Sequence, residues 1–205
     1  MRVIAGSLKG RRLKAPTWDG LRPTSDKLRE TLFNILAPRI AGARLLDGYA
    51  GTGAIGIEAL SRGARSVTFV ESDRRAETLI AENLAHCGVE NGYAIIRATV
   101  ARAIDQLEAA AFGPYELFDI VWLDPPYDEQ PDAVMNAAGV LIAPGGLLVL
   151  EHGRRRPAPE TAGRLSRVRQ VTSGDSTLSF YELKDRKSTR LNSSHPRLSR
   201  MPSSA

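Results

Sequence analysis

The most constraining stretch of this chain is a glycine loop held between two apolar segments. Arg44-Leu45-Leu46-Asp47 has the length of a short buried strand, and Gly51-x-Gly53-x-x-Gly56 follows it almost at once. Beyond the loop, Ile55, Ala59 and Leu60 mark a helix that Gly63 closes. A strand that turns through glycines into a helix opens a dinucleotide-type βαβ unit. The alternation then continues. Strands are predicted over residues 66–70, 93–98, 117–123 and 147–151, the last entered through a Gly145-Gly146 turn. Helices are predicted from an Asp73 cap to about His86, where Gly88 stops the chain, over 100–111, and through Val134 and Met135. Residues 165–171 and 177–183 read as two further strands joined by a short turn. The expected body is α/β: a mostly parallel sheet covered by helices on both faces, with one antiparallel element at its edge.

Composition sets limits around that body. Of the 205 residues, 42% are apolar, enough for a core without metal or disulfide support. The single cysteine, Cys87, excludes a disulfide framework and a cysteine-based zinc cluster, and it is expected to be packed. No metal site is expected. No apolar run is long enough to span a membrane, and residues 1–6 lack a secretory core, so a cytoplasmic protein is expected. The net charge of +5 misleads, because residues 184–205 carry six basic side chains and one acid. That tail is serine-rich and aperiodic and is expected to be disordered; residues 185–195 resemble a translated sequencing adapter, so it is expected not to be native. Within the remainder, residues 1–29 hold eight basic and two acidic groups, whereas residues 58–132 hold six and fourteen. A basic head on an acidic body suggests oriented contact with a polyanion. Residues 3–6 and 11–14 flank a Gly10-bearing turn and read as a hairpin, with Lys9, Arg11, Arg12 and Lys14 upon it. A helix capped by Thr24 or Ser25 follows, ended by Pro38 and Gly42.

Sheets of this kind bind ligands beyond the carboxyl ends of their strands. Glu71 ends the second strand twenty residues after Gly51, and a carboxylate there can take both hydroxyls of a ribose. A nucleoside cofactor follows. NAD would set its pyrophosphate on the helix N-terminus. Asp47 at the mouth of the first strand disfavours a phosphate and suits the ammonium of S-adenosylmethionine, which tilts the choice without closing it.

Asp124-Pro125-Pro126-Tyr127, after the fourth strand, carries the reaction. Two prolines fix φ and remove two N–H donors, so the turn forms a rigid lip at the sheet's end. The Asp124 carboxylate and Pro125 carbonyl can grip one –NH₂ group, and Asp124 can take the proton it releases. Such a grip favours a localised lone pair on an amine otherwise conjugated with its ring. Tyr127 offers a face for base stacking.

The combined motifs resemble the bacterial small-subunit ribosomal RNA guanine-N2 methyltransferases, the RsmD family. The stretches that carry the likeness are residues 2–6 with 10–13, residues 22–26 with 29–34, Tyr49 through Gly63, Glu71, residues 124–127, and Gly174-Asp175, together spanning about residues 2–183. The resemblance implies a class I S-adenosylmethionine-dependent methyltransferase fold: a Rossmann-like, seven-stranded, mostly parallel sheet with one antiparallel strand. It divides the chain into a basic hairpin extension (1–20), the methyltransferase domain (21–183) and the tail (184–205). It implies S-adenosylmethionine as cofactor, held by Arg22, Thr24, Asp47, Ala50, Gly51, Thr52, Gly53, Glu71, Thr99 and Asp124, with Ser25 nearby. It implies a catalytic lip of Asp124, Pro125, Pro126 and Tyr127, and a monomer whose partner is small-subunit ribosomal RNA in an assembled or assembling 30S particle. Lys9, Arg11, Arg12 and Lys14 are the implied RNA contacts, with Arg154, Arg155 and Arg156 a second basic cluster. Two positions depart from the family pattern. Gly48 is expected to loosen a packed site, and Thr99 stands where relatives carry an Asp facing the adenine amine.

Three rival readings carry different signatures. A methyltransferase acting on adenine N6 or cytosine N4 would use the same tetrapeptide, but the chain lacks room for a target-recognition domain. An NAD dehydrogenase would need a proton relay and a substrate domain. A non-catalytic ribosome-assembly module would not need Asp124, Glu71 and the glycines together.

Overall fold

The computed structural model describes residues 1–18, 24–110, 117–126 and 129–184; Arg22, Tyr127 and the basic tail from residue 185 lie outside the described residues. The chain runs α1 (Asp26–Ile40), β1 (Arg44–Gly48), α2 (Ala54–Ser61), β2 (Ser66–Glu71), α3 (Arg74–His86), β3 (Tyr93–Arg97), α4 (Val100–Ala110), β4 (Phe118–Leu123), α5 (Pro131–Ala138), β5 (Ile142–Gly153), β6 (Thr161–Ala162), β7 (Leu165–Ser173) and β8 (Ser176–Leu183). One eight-stranded sheet has the order β3-β2-β1-β4-β5-β8-β7-β6. β3, β2, β1, β4 and β5 pair in parallel, and β8 runs antiparallel to both β5 and β7. β7 therefore points the same way as the parallel strands. The two-residue β6 adds a short antiparallel rim beside it.

Strand alternation divides the core. Leu45, Val67, Phe69, Ile120, Trp122, Leu147 and Val149 pack with α1, α2 and α3 on one face. Leu46, Val70, Val121, Leu123, Leu148 and Leu150 pack with α4 and α5 on the other. Each such side chain, fully buried, contributes about 1.5–3 kcal/mol. Ser25 caps α1 by accepting from Leu28 N at 3.2 Å, and Asp73 caps α3 by accepting from Arg75 N at 2.7 Å.

Three local expectations are corrected. The antiparallel element is not at the edge: β8 lies inside the sheet because Leu178, Phe180 and Tyr181 are buried, whereas β7 exposes Val168 and takes the outer place. Gly145 and Gly146 lie within β5, where the register against β4 shifts, and do not turn into it. α1 continues past Pro38 to bury Ile40, and Gly42 (φ 74°) then reverses the chain. The N-terminal segments do pair antiparallel, about the bridge Arg2 to Arg12. The pairing runs through Val3 N to Arg11 O, Gly10 N to Val3 O and Leu13 N to Met1 O, at 2.9, 2.9 and 3.1 Å, while Ile4 N and Ala5 N donate to the buried Glu58 carboxylate, at 2.7 and 3.0 Å. Glu58 in turn pairs with Arg62 at 2.8 Å and lies 3.7 Å from the buried Arg29, so the head is tied to α1 and α2.

Candidate active site

The alternation that builds the core also builds the site. Three parallel strands place apolar side chains on the α1–α3 face and end that row with an acid: Leu45 then Asp47, Val67 and Phe69 then Glu71, Leu147 and Val149 then Glu151. Asp124 follows Ile120 and Trp122 in the same order, one residue past β4. All four carboxylates line a cavity of about 550 Å³ at the carboxyl end of the sheet, a size suited to a small-molecule ligand.

The first wall is the loop between β1 and α2. Ala50, Gly51 and Thr52 line the cavity. Ala50 N donates to Val70 O and Gly53 N to Ala50 O, closing the turn. Gly51 and Gly53 take positive φ (57° and 76°), and so does Tyr49 (64°), a conformation costly for an aromatic residue. The Tyr49 hydroxyl donates to Glu129 at 2.6 Å, which anchors it there. Gly56 permits close packing: a Cβ there would fall on the Phe69 ring and 2.7 Å from Val67 Cγ1. Gly53 lies behind the cavity wall as the N-cap of α2. Gly48 does not loosen its surroundings. An added Cβ would come 2.7 Å from Leu123 Cδ2, so the space is already filled.

Glu71 braces this wall by accepting from Gly51 N and Asp73 N, each at 2.9 Å. Asp47 is buried; its Oδ2 accepts from Gly56 N at 2.9 Å, and its Oδ1 has no partner. Burial, helped by the charge of Glu71 and opposed by the Gly56 bond, pushes its carboxyl up to about 8.

The second wall comes from β4 and β5. Asp124, Pro125 and Pro126 line it with Trp122 and Glu151. Burial and the neighbouring charges of Glu151 and Asp47 hold the Asp124 carboxyl well above the usual carboxylate range. Thr24 and Ser25, at the start of α1, complete the lining with Lys27, and Thr24 Oγ1 lies 3.5 Å from Glu151 Oε2. The turn between β7 and β8, Ser173 to Ser176, closes the far side.

Thr99 is not among the lining residues; it is exposed at the start of α4, its Oγ1 3.4 Å from Arg102 N. Lys9, Arg11, Arg12 and Lys14 are exposed on the head. Two of them are engaged structurally: Arg11 Nη1 donates to the Cys87 carbonyl at 2.6 Å, and Lys14 Nζ pairs with Glu82 at 3.0 Å. Arg154, Arg155 and Arg156 are exposed beyond β5, and Arg154 N donates to Asp175 O beside the cavity turn. Reading the residues singly passed over Glu151, Lys27 and the 173–176 turn as lining groups. The period-2 row ending in an acid was the available signal for Glu151.

A family model described as "Conserved hypothetical protein 95" matches residues 1–182. Ribosomal RNA small subunit methyltransferase D of Haemophilus influenzae is 37% identical over 163 residues, covering 77% of this chain and 81% of that protein. The chain belongs to the RsmD family. YlbH of Bacillus subtilis is likewise 37% identical, over 185 residues, covering 89% of this chain and 98% of the relative. Among solved structures, the yhhF methyltransferase of Escherichia coli superposes with a TM-score of 0.76 at 32% identity, covering 90% of this chain and 98% of that one. The RsmD-family chain thus has the class I methyltransferase fold, with β8 as the antiparallel strand inserted beside β5.

Proposed function

We propose that the chain transfers a methyl group from S-adenosylmethionine to the exocyclic N2 amine of a guanine in small-subunit ribosomal RNA. It acts as a cytoplasmic monomer on an assembled or assembling 30S particle. The observation that carries the reading is the convergence, in one cavity, of the glycine loop, Glu71 and the Asp124-Pro-Pro lip. Family membership gives the reaction its substrate class.

The cavity suits the cofactor. The unpartnered, buried oxygen of Asp47 calls for a cation or donor, as a methionine ammonium would provide. Thr24, Ala50, Gly51 and Thr52 would hold the methionine side and Glu71 the ribose; Arg22, Gly53 and Thr99 belong to the same set as supporting or adenine-end residues. S-adenosylmethionine supplies an electrophilic methyl on a sulfonium and leaves as the neutral thioether.

The chain's own work is orientation and proton handling. The Asp124 carboxylate and Pro125 carbonyl hold the two N2 hydrogens, so that the amine presents its lone pair in line. As the N–C bond forms, the amine becomes acidic and gives one proton to Asp124, whose raised affinity for protons suits it as acceptor. Pro126 keeps the lip rigid, and Tyr127 stacks on the base. Lys9, Arg11, Arg12, Lys14 and Arg154 to Arg156 contact phosphates, which set position and salt dependence.

Incubating the protein with labelled S-adenosylmethionine and 30S particles, then analysing nucleosides by mass spectrometry, tests the reading. N2-methylguanosine is expected. Labelled N6-methyladenosine or N4-methylcytidine, or transfer to duplex DNA in preference to particles, would overturn it.

A further inference from the structure

A methyltransferase lip that grips an amine does not by itself choose among guanine, adenine and cytosine, since all three bases carry one. The wall opposite the glycine loop holds a second acid that the transfer chemistry leaves unused. β4 and β5 pair in parallel with Leu123 opposite Leu150, so the next residues, Asp124 and Glu151, stand at the same height on neighbouring strands. Adjacent strands run about 4.8 Å apart. Both carboxylates line the cavity, Glu151 is only 9% exposed, and the charge of Glu151 acts on Asp124. Glu151 pairs with Leu178 of β8, and the residue before it, Leu150, pairs with Leu123 of β4. The site therefore sets two acceptors side by side, with Asp47 and its partnerless Oδ1 lining the same cavity.

The Watson–Crick edges of the three bases differ in what they offer such a pair. Guanine presents N1–H beside N2–H₂, an unbroken row of donors. Adenine sets an N1 lone pair beside its N6 amine, and cytosine an N3 lone pair beside its N4 amine. A second carboxylate attracts the first arrangement and repels the other two. Donors entering the pair also favour its charged form. We infer that Glu151 selects the base by accepting the guanine N1–H while Asp124 holds the N2 amine. The inference rests on the guanine-N2 reading above and adds to it the residue that makes guanine the substrate.

The test compares guanine with 2-aminopurine, which keeps the N2 amine but carries a lone pair at N1. The wild-type protein first locates its target guanine by product mapping. Particles are then reconstituted with 2-aminopurine at that nucleotide. Wild type is expected to prefer guanine by at least about 100-fold, consistent with a buried charged acceptor facing a lone pair. Glu151→Gln, whose amide can donate to N1, is expected to lose about 10- to 100-fold on guanine. Its preference for guanine over 2-aminopurine should narrow by about tenfold or more. Calorimetry of S-adenosylmethionine binding measures any effect passed through Thr24, whose hydroxyl donates to Glu151, and the narrowing is expected at saturating cofactor. Equal losses on both substrates would make Glu151 a brace for Thr24 and overturn the inference, as would an unchanged guanine rate. If Glu151→Gln fails to fold, wild-type indifference between the two bases still overturns it. Absence of any N2-methylguanosine with wild type is a different failure: it removes the proposed function itself.

Discussion

At the β1–β2 end of the cavity, acids are engaged by main chain. Glu71 holds Gly51 N and Asp73 N, and Asp47 holds Gly56 N. At the β4–β5 end, Asp124 accepts no hydrogen bond among the described residues and has Glu151 beside it. The two ends spend negative charge differently. The first uses carboxylates to fix a strained glycine loop before any ligand arrives. The second sets the like charges of Asp124 and Glu151 side by side. A binding surface benefits from the first arrangement, because ordering is complete in advance. A reacting surface benefits from the second, because its interactions are realised with the substrate amine in place.

The largest effect should come from Asp124→Asn. Methyl transfer is expected to fall by about 10²–10⁴-fold, the range for loss of a positioned proton acceptor. Affinity for S-adenosylmethionine should fall far less than the rate. The opposite pattern, with affinity lost and the rate of the bound complex preserved, would erase the division between the ends. Glu71→Gln should behave in the reverse sense. A carboxamide can hold one of the two N–H donors but not both, so cofactor affinity should drop by about 10- to 100-fold. The rate at saturating cofactor should remain within a few-fold of wild type. Calorimetry with single-turnover kinetics separates the two variants.

How far these ends were legible in the sequence follows from the physics of each. Local signals sufficed at the β1–β2 end, where the glycine spacing, the Asp73 cap and an acid ending an apolar strand all lie within one βαβ unit. The α3 limits, Arg74–His86, follow from the Asp73 cap and the Gly88 stop for the same reason. Glu151 was harder, because its meaning depends on β5 lying in register with β4, a pairing between distant segments. The place of β8 inside the sheet was hidden likewise, since it is decided by the competition of two strands for the buried position. The tie from the N-terminal hairpin to the body had no local signal, because alternation cannot show that Glu58, more than fifty residues away, captures the N–H groups of Ile4 and Ala5. The strain at Tyr49 had no sequence signal, as the residue type argues against a positive φ.

Neither end accounts for the proposed RNA contact, and the head supplies a separate contrast. Lys9 and Arg12 form no ion pair among the described residues, whereas Arg11 and Lys14 are held by Cys87 and Glu82. Changing Lys9 and Arg12 together to Ala should reduce the slope of log affinity against log salt by about 1.4, taking ~0.7 per phosphate contact for single-stranded RNA. The protein's thermal stability should hold. Changing Arg11 and Lys14 should move the slope less and also lower the melting temperature. Equal salt slopes for the two double variants would mean that the structural contacts do not divide the head.

Asp47 sharpens the comparison through pH. Its carboxyl lies near 8 in the folded protein against an ordinary value of 3.8. Between those values the native state keeps a proton that the unfolded chain has released. Stability without cofactor should therefore be greatest below the lower value and decline as pH rises toward the upper one, by at most about 1.4 kcal/mol per pH unit. Asp47→Asn removes that contribution. The melting temperature of the variant relative to wild type should climb between pH 5 and pH 8; a constant difference would show that Asp47 titrates in its ordinary range.

The smallest expected effect is at Thr99, and it tests how far the preorganised end extends. Thr99 begins α4, with its carbonyl accepting from Ala103 N and its hydroxyl near Arg102 N. Asp is as good a residue at such a helix start, so Thr99→Asp should fold without penalty. Ala98 N donates to the carbonyl of Glu71, which ties this turn to the end of β2. If the adenine of the cofactor reaches the turn, a carboxylate there adds a charged acceptor for its amine, and affinity should improve by a few-fold. At an exposed position the gain is limited by solvent competition, which places it below every effect above. Equal or weaker binding by the variant would confine the preorganised end to Asp47, the glycine loop and Glu71. The adenine would then have to be held by apolar contact alone.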